Sequence, residues 1–284
     1  MYKRCIGFIK LMRVHQPVGF FLLLWPTLWA LWITNRGIPD FIVLSLFIVG
    51  VMCMRSAGCV INDYIDYDID MCVQRTIRRP IVIGSVKKQE ALWVFFILIL
   101  IALIVVCVFN NIIAVFLSLI VLGLSIIYPY LKRYIYLPQL VLGIIFSWSI
   151  LIVYTVMNCA VNKTTWLLFL ANTIWVVLYD TEYAMVDRDD DKCIGIKSSA
   201  LLFGKIDKIV IGILQLLTVF ILYIIGIVEQ LPIIFYLFSI VGASILFIWQ
   251  QVLIFNRNRE KCLWAFLSNS YVGMLIFVGI VLSF

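Results

Sequence analysis

Four carboxylates stand within nine residues in Asn62-Asp63-Tyr64-Ile65-Asp66-Tyr67-Asp68-Ile69-Asp70, at the end of an apolar run, in a chain of 284 residues of which only 13% are charged. Asn62, Asp66 and Asp70 recur every four residues, so on a helix they form one oxygen-rich stripe, with Asp63 beside it. Such a stripe repels itself unless a cation lies against it, and hard oxygen donors suit a hard divalent ion. A second cluster, Asp187-Arg188-Asp189-Asp190-Asp191, follows the apolar run 166–178 and begins 121 residues after Asp66. Asp180 precedes Asp187 by seven residues and Asp191 by eleven, which extends the same helical face into the apolar run, whereas Asp189 and Asp190 point elsewhere. Two clusters read as two halves of one site. Because Mg²⁺ bridges protein oxygens to phosphate oxygens more readily than it fills an all-protein cage, the chemistry indicated is that of a diphosphate.

Basic residues follow both clusters: Arg75, Arg78 and Arg79 after the first, Lys192 and Lys197 after the second. Beside a metal they would neutralise a leaving diphosphate; the alternative is that they only set topology. Arg55 precedes Asn62 by two helical turns and shares its face, so it can pair with the acids or reach an anion that they hold. Arg78-Arg79-Pro80 and Gly84-Ser85 mark turns able to fold over the site. The short stretch Tyr128-Pro129-Tyr130-Leu131-Lys132-Arg133 sets an arginine fork, which suits a planar carboxylate, beside aromatic residues; a membrane-interface anchor would read the same way. Eight scattered cysteines form no CxxC pair, and the single histidine, His15, allows neither a histidine metal site nor a Ser-His-Asp triad.

The elements that must position these groups lie in a membrane. The chain is 64% hydrophobic with a mean hydropathy of +1.12, far above the apolar usage of soluble domains. Nine candidate spans are read at about 17–34, 41–61, 91–109, 112–130, 135–157, 165–185, 208–227, 232–254 and 263–283, which leaves little chain for a second domain, so residues 1–284 are expected to form one transmembrane domain. With nine spans, 20 of the 22 lysines and arginines fall on the N-terminal face, together with both acidic clusters, and that face is therefore cytoplasmic. The first apolar segment runs to about Ile33 without a small-residue cleavage pattern and is expected to remain as a span. The net charge of +7 is an orientation signal and does not point to nucleic acid. Lipid requires satisfied backbone, so the fold class is all-α: a polytopic helical bundle with irregular segments only where protein or water covers them.

Asn62-Asp63-x-x-Asp66-x-x-x-Asp70 and Asp187-x-x-x-Asp191 resemble the paired acidic motifs of the UbiA superfamily of intramembrane aromatic prenyltransferases. Supporting stretches run from Leu23-Leu-Leu-Trp-Pro-Thr-Leu-Trp to Arg55-Ser-Ala-Gly-Cys-Val-Ile-Asn-Asp-Tyr, Tyr179-Asp-Thr-Glu-Tyr-Ala-Met-Val-Asp and Asn269-Ser-Tyr-Val-Gly. The resemblance implies about nine helices around a central cavity capped on the cytoplasmic side. It implies Mg²⁺ as cofactor, held by Asn62, Asp63, Asp66, Asp70, Asp187 and Asp191, with Asp66, Asp70, Asp187 and Asp191 essential to catalysis. It also implies polyprenyl diphosphate and 4-hydroxybenzoate as substrates, with Arg133 on the benzoate carboxylate; Arg55, Arg78, Arg79, Lys192 and Tyr128 are the further candidates to contact them, by their place in the sequence. The reaction implied is loss of diphosphate to give an allylic cation, attack by the ring carbon ortho to the phenol oxygen, and a place in ubiquinone biosynthesis in the bacterial inner membrane. Tyr64, Tyr128 and Tyr183 are candidates to stabilise that cation. Tyr67-Asp68 departs from the family, which often has a basic residue there. Two other readings stay open: a transporter built on intramembrane carboxylates, and prenyl transfer to a different aromatic acceptor. No obligate protein partner is expected.

Overall fold

A computed structural model describes residues 2–131 and 133–284, so Lys132 of the Lys132-Arg133 pair lies outside the described residues. Among them every regular element is helical: α1 (Tyr2–Leu11), α2 (Val18–Asn35), α3 (Phe41–Ile65), α4 (Tyr67–Asp70), α5 (Lys88–Val108), α6 (Ile112–Leu131), α7 (Pro138–Val156), α8 (Lys163–Ile194), α9 (Ser199–Phe203), α10 (Asp207–Val228), α11 (Ile233–Phe235), α12 (Ala243–Ile254) and α13 (Arg259–Val281). A π-helical stretch, Tyr236–Gly242, joins α11 to α12. Short polar side chains start several helices by accepting backbone N–H groups that have no partner within the helix. Asp40 takes those of Ile42 and Val43, Asn111 those of Ile113 and Ala114, and Asn162 that of Thr165.

Eight helical segments are long and apolar enough to cross a membrane, and the chain is a multi-pass membrane protein. The expected span 165–185 lies in α8, which runs for 32 residues and carries Asn172, Thr173, Asp180 and Glu182. It is too polar to meet the same measure, because it is wrapped by protein: α2, α7, α10 and α13 all pack on it. A helix screened from lipid can hold polar groups that a lipid-facing one cannot. Asn172 donates to Ser147 of α7 at 2.8 Å, and Ser147 and Thr173 share a hydrogen bond of 2.9 Å.

The sorting of basic residues by face is visible in contacts between the ends. At one end Arg13, before α2, meets Asp63 at the end of α3, and Arg259, at the start of α13, reaches Gln74. At the opposite end Arg36 and Thr164 both reach Glu229. The core is densest around α8: the Trp29 and Trp175 rings pack tilted by 34° with centroids 5.4 Å apart, and Trp175 meets Tyr179 edge-on at 5.3 Å. Gly273 permits this approach, since a Cβ there would lie 2.3 Å from Trp25 and 2.8 Å from Trp175. The α3, α5 and α6 side is thinner, and Trp93, Phe96 and Phe116 face outward, as lipid requires.

Candidate active site

The first acidic stripe keeps its register across a joint. Although α3 ends at Ile65 and α4 starts at Tyr67, the Asp66 N–H donates to the Asn62 carbonyl at 2.9 Å and the Asp70 N–H to the Asp66 carbonyl at 2.8 Å. Asn62, Asp66 and Asp70 therefore remain on one face, as the spacing of four demands. Asp63, Asp66 and Asp70 are all buried. One Arg79 nitrogen bridges Asp63 at 3.0 Å and Asp70 at 2.5 Å, and Arg13 holds Asp63 at 3.0 Å. The segment 71–87 folds back over this end, with Thr76 donating its hydroxyl to the Asp70 carbonyl and Gly84 supplying a left-handed turn at φ +70°.

The second cluster stands on an unbroken helix that ends at Gly195, φ +77°. Asp180, Asp187 and Asp191 share one face. Arg75 reaches across from the capping segment and grips Asp187 with its Nε 3.1 Å from both oxygens and its Nη2 2.6 Å from Oδ2. Its guanidinium lies 4.6 Å from the centre of the Tyr183 ring. Burial opposes the charge on Arg75, but Tyr183 and Asp187 outweigh it and raise its pKa; Asp63 and Asp70 do the same for Arg79. Both arginines stay cationic at any physiological pH. Arg188 turns the other way, to the buried Asp207, and Arg259 pairs with Asp190 at 2.8 Å.

Two adjoining cavities meet at these clusters. The smaller, about 170 Å³, is lined by acids from both: Asp70, Asp180, Asp187 and Asp191, together with Lys197 and Ser198. The larger, about 950 Å³, runs from Lys10, Arg13 and Asp63 past Leu103 and Leu119 to Phe47 and Phe109 near the far end of the bundle. Asn62, Arg75, Arg79, Tyr128, Asp180 and Tyr183 line both. Ser118 and Ser125 of α6 donate to carbonyls of their own helix, so the part of the wall that α6 supplies around them offers few free polar groups. Among the described residues no three acids, cysteines or histidines stand close enough to cage a metal. Asn62, Asp70, Asp187 and Asp191 nonetheless bring hard oxygens to one small cavity, which fits an ion that completes its shell with phosphate oxygens; Asp63 lines the larger cavity instead, and Asp66 is fully buried beside them.

Arg55 projects into the larger cavity from α3, 5.9 Å from the centre of the Phe146 ring. It packs so closely on Gly19 that a Cβ there would fall 2.3 Å from its Nη2, and its buried Nε has no hydrogen-bond partner. Arg78, Arg79 and Tyr128 also line the larger cavity. Two residues expected at the substrates stand outside both cavities. Because α6 continues to Leu131, the following turn throws Arg133 back onto α3, where its exposed guanidinium donates to the Ile65 carbonyl at 3.2 Å. Lys192 is exposed in the last turn of α8. Of the candidate tyrosines, Tyr128 and Tyr183 face the cavities, whereas Tyr64 packs in the small core under α5. Sequence spacing does not single out Arg13 or Arg259: Arg13 meets Asp63 50 residues away, and Arg259 reaches Gln74, 185 residues away, as well as Asp190.

The model of the UbiA prenyltransferase family matches residues 23–277. The chain is 58% identical over 282 residues to a protein of Blochmanniella pennsylvanica named 4-hydroxybenzoate octaprenyltransferase, covering 99% of this chain and 97% of that one. A protein of the same name from Aeromonas hydrophila is 50% identical, with 99% and 98% covered. Among solved structures, the apo form of a UbiA homologue from Aeropyrum pernix K1 superimposes with a TM-score of 0.81 at 25% identity, covering 93% of this chain and 97% of that one. A UbiA homologue from Archaeoglobus fulgidus bound to GPP and Mg²⁺ shares the fold, with a TM-score of 0.65 at 16% identity and 97% and 99% covered. Acidic motifs brought from two distant helices onto one cavity are thus carried by a sequence and a fold that agree from end to end, and the chain belongs to the UbiA prenyltransferase family.

Proposed function

We propose that this protein transfers a polyprenyl group from polyprenyl diphosphate to the ring carbon ortho to the hydroxyl of 4-hydroxybenzoate, releasing diphosphate, as a step of ubiquinone biosynthesis. The observation that carries this reading is the junction of the cavities: acids of both clusters line a small polar chamber that adjoins a large one, charged at its near end and apolar toward Phe47 and Phe109, holding an arginine whose Nε has no partner. The names of the relatives support the choice of acceptor.

Asn62, Asp63, Asp66, Asp70, Asp187 and Asp191 would hold Mg²⁺, which supplies Lewis-acid stabilisation of the leaving diphosphate. The chain's own cations do the rest at that end, with Arg75, Arg78 and Arg79 facing the phosphoryl oxygens. The allylic C–O bond breaks with its electron pair on the diphosphate, the ring carbon forms the new C–C bond, and the ring then loses a proton to restore aromaticity. Tyr128 and Tyr183 present their rings where the allylic cation would form. The polyprenyl tail lies along the apolar wall toward Phe47 and Phe109. Arg55 receives the benzoate carboxylate, a role that Arg133 serves less well from the outer surface. One transmembrane domain, with its N-terminus and active site on the cytoplasmic side of a bacterial inner membrane, accommodates all of these contacts.

The test is product formation from 4-hydroxybenzoate and an allylic diphosphate by purified protein in detergent, with Mg²⁺ and then with excess EDTA. A C-prenylated benzoate that disappears with EDTA is expected. Donor binding without prenylation of 4-hydroxybenzoate would overturn the acceptor assignment and leave the donor site standing.

A further inference from the structure

Carboxylates this close together need cations, and in this fold the capping segment 71–87 provides two of them in different ways. Arg79 sits deep: its side chain is 12% exposed and the acids that it bridges are 1% and 4% exposed. Arg75 and Asp187 are more open, at 32% and 14%. Yet Arg75 engages both oxygens of Asp187 at once, so any ion that takes an Asp187 oxygen competes with this fork. Arg75 also lines both cavities, on the wall that an arriving diphosphate must face. A guanidinium fork fits phosphate as well as it fits carboxylate, so the arginine can change partner without losing its hydrogen bonds.

Resting on the metal shell proposed above, we propose that Arg75 couples metal binding to donor binding. Without donor it is the internal counter-ion of Asp187 and weakens divalent-ion binding there; with donor present it passes to the phosphoryl oxygens and releases the carboxylate. Metal and prenyl diphosphate then bind cooperatively, and neither binds tightly alone. By linkage the coupling is the same seen from either ligand.

A brace that merely held the cap to α8 would behave differently, and two equilibrium measurements on the full chain in detergent separate the two. The first is Mn²⁺ affinity by electron paramagnetic resonance without donor. The second is binding of radiolabelled farnesyl diphosphate to Mn²⁺-loaded protein without acceptor. Arg75→Gln is expected to tighten Mn²⁺ by about fivefold or more and to weaken farnesyl diphosphate by a similar factor, the lower range of typical coupling. Loss of a brace would weaken both, and a Mn²⁺ affinity in Arg75→Gln equal to or below that of the parent overturns the proposal. Arg75→Lys keeps the charge without the fork and should fall between the two in each measurement; it carries the test if Arg75→Gln does not fold. Asp187→Asn should lose Mn²⁺ affinity. If it binds Mn²⁺ as the parent does, the metal-shell reading itself falls, and the role of Arg75 falls with it.

Discussion

On α3 the residue seven before Asn62 is Arg55, and on α8 the residue seven before Asp187 is Asp180; Asp66 and Asp191 follow each motif's first residue by four. The two helices thus carry the same spacing with opposite charge two turns deeper in the bundle. The cation of α3 stands in the large cavity, while the acid of α8 lines both cavities. The halves differ in burial and cross-linking as well. On α3 the acids are buried, cross-linked by Arg79 and anchored by Arg13, whereas on α8 Asp187 stands on the end of a helix with one half-exposed arginine on it. On the reading proposed above, the first half is the fixed wall, which would also face the acceptor, and the second is the half that would exchange partners when ligand arrives.

Both halves should be indispensable to chemistry. Asp66→Ala and Asp187→Ala are each expected to reduce product formation by about a thousandfold or more, since several kcal/mol of metal-borne stabilisation is lost at about 1.4 kcal/mol per decade. Full turnover in either variant would break the two-cluster model. Stability should divide the halves: Arg79→Ala strands the buried Asp70 and leaves Asp63 to Arg13 alone, and should cost about 3–5 kcal/mol, while Arg75→Ala, at a more exposed pair, should cost at most about 1 kcal/mol. Equal losses, read by denaturant unfolding in detergent, would remove the contrast between fixed and exchangeable halves.

The charge reversal can be sharpened by kinetics. Arg55→Ala should raise the KM for the aromatic acid by about tenfold to a hundredfold, the value of about 1.5–3 kcal/mol for a hydrogen bond to a charged group, and leave donor binding unchanged. Arg133→Ala serves as the comparison: if it alone raises that KM, the carboxylate is held from the outside and not by α3. Gly19→Ala, whose new Cβ would press on the flexible end of Arg55, should raise the same KM by less, at most about tenfold.

Much of this arrangement was legible from spacing alone. A period of four put Asn62, Asp66 and Asp70 on one face, and the structure keeps that face even though α3 breaks at Asp66, because the i to i−4 hydrogen bonds cross the break. The count of basic residues separated the two ends of the bundle. What spacing could not give is the partner of each charge. Arg13 and Arg75 find theirs 50 and 112 residues away, and Arg259 joins Asp190 to Gln74, the latter 185 residues away, through packing of helices that hydropathy does not order. The same limit explains Arg133: its residue type suits a carboxylate, but the length of α6 decides which way it points.

The polar stripe of α8 also bears on how the protein enters the bilayer. Carrying Asn172, Thr173, Asp180 and Glu182, this helix partitions poorly into hydrocarbon by itself. Its neighbour offers Ser147 to Asn172 and Thr173, with Gly143 leaving room, since a Cβ there would meet the Thr173 carbonyl at 2.8 Å. The two are therefore expected to insert as a hairpin, and glycosylation mapping of nascent chains should find α8 crossing far less efficiently when α7 is replaced by a polyleucine span. The helix that carries half of the active site would then depend on its neighbour from synthesis onward.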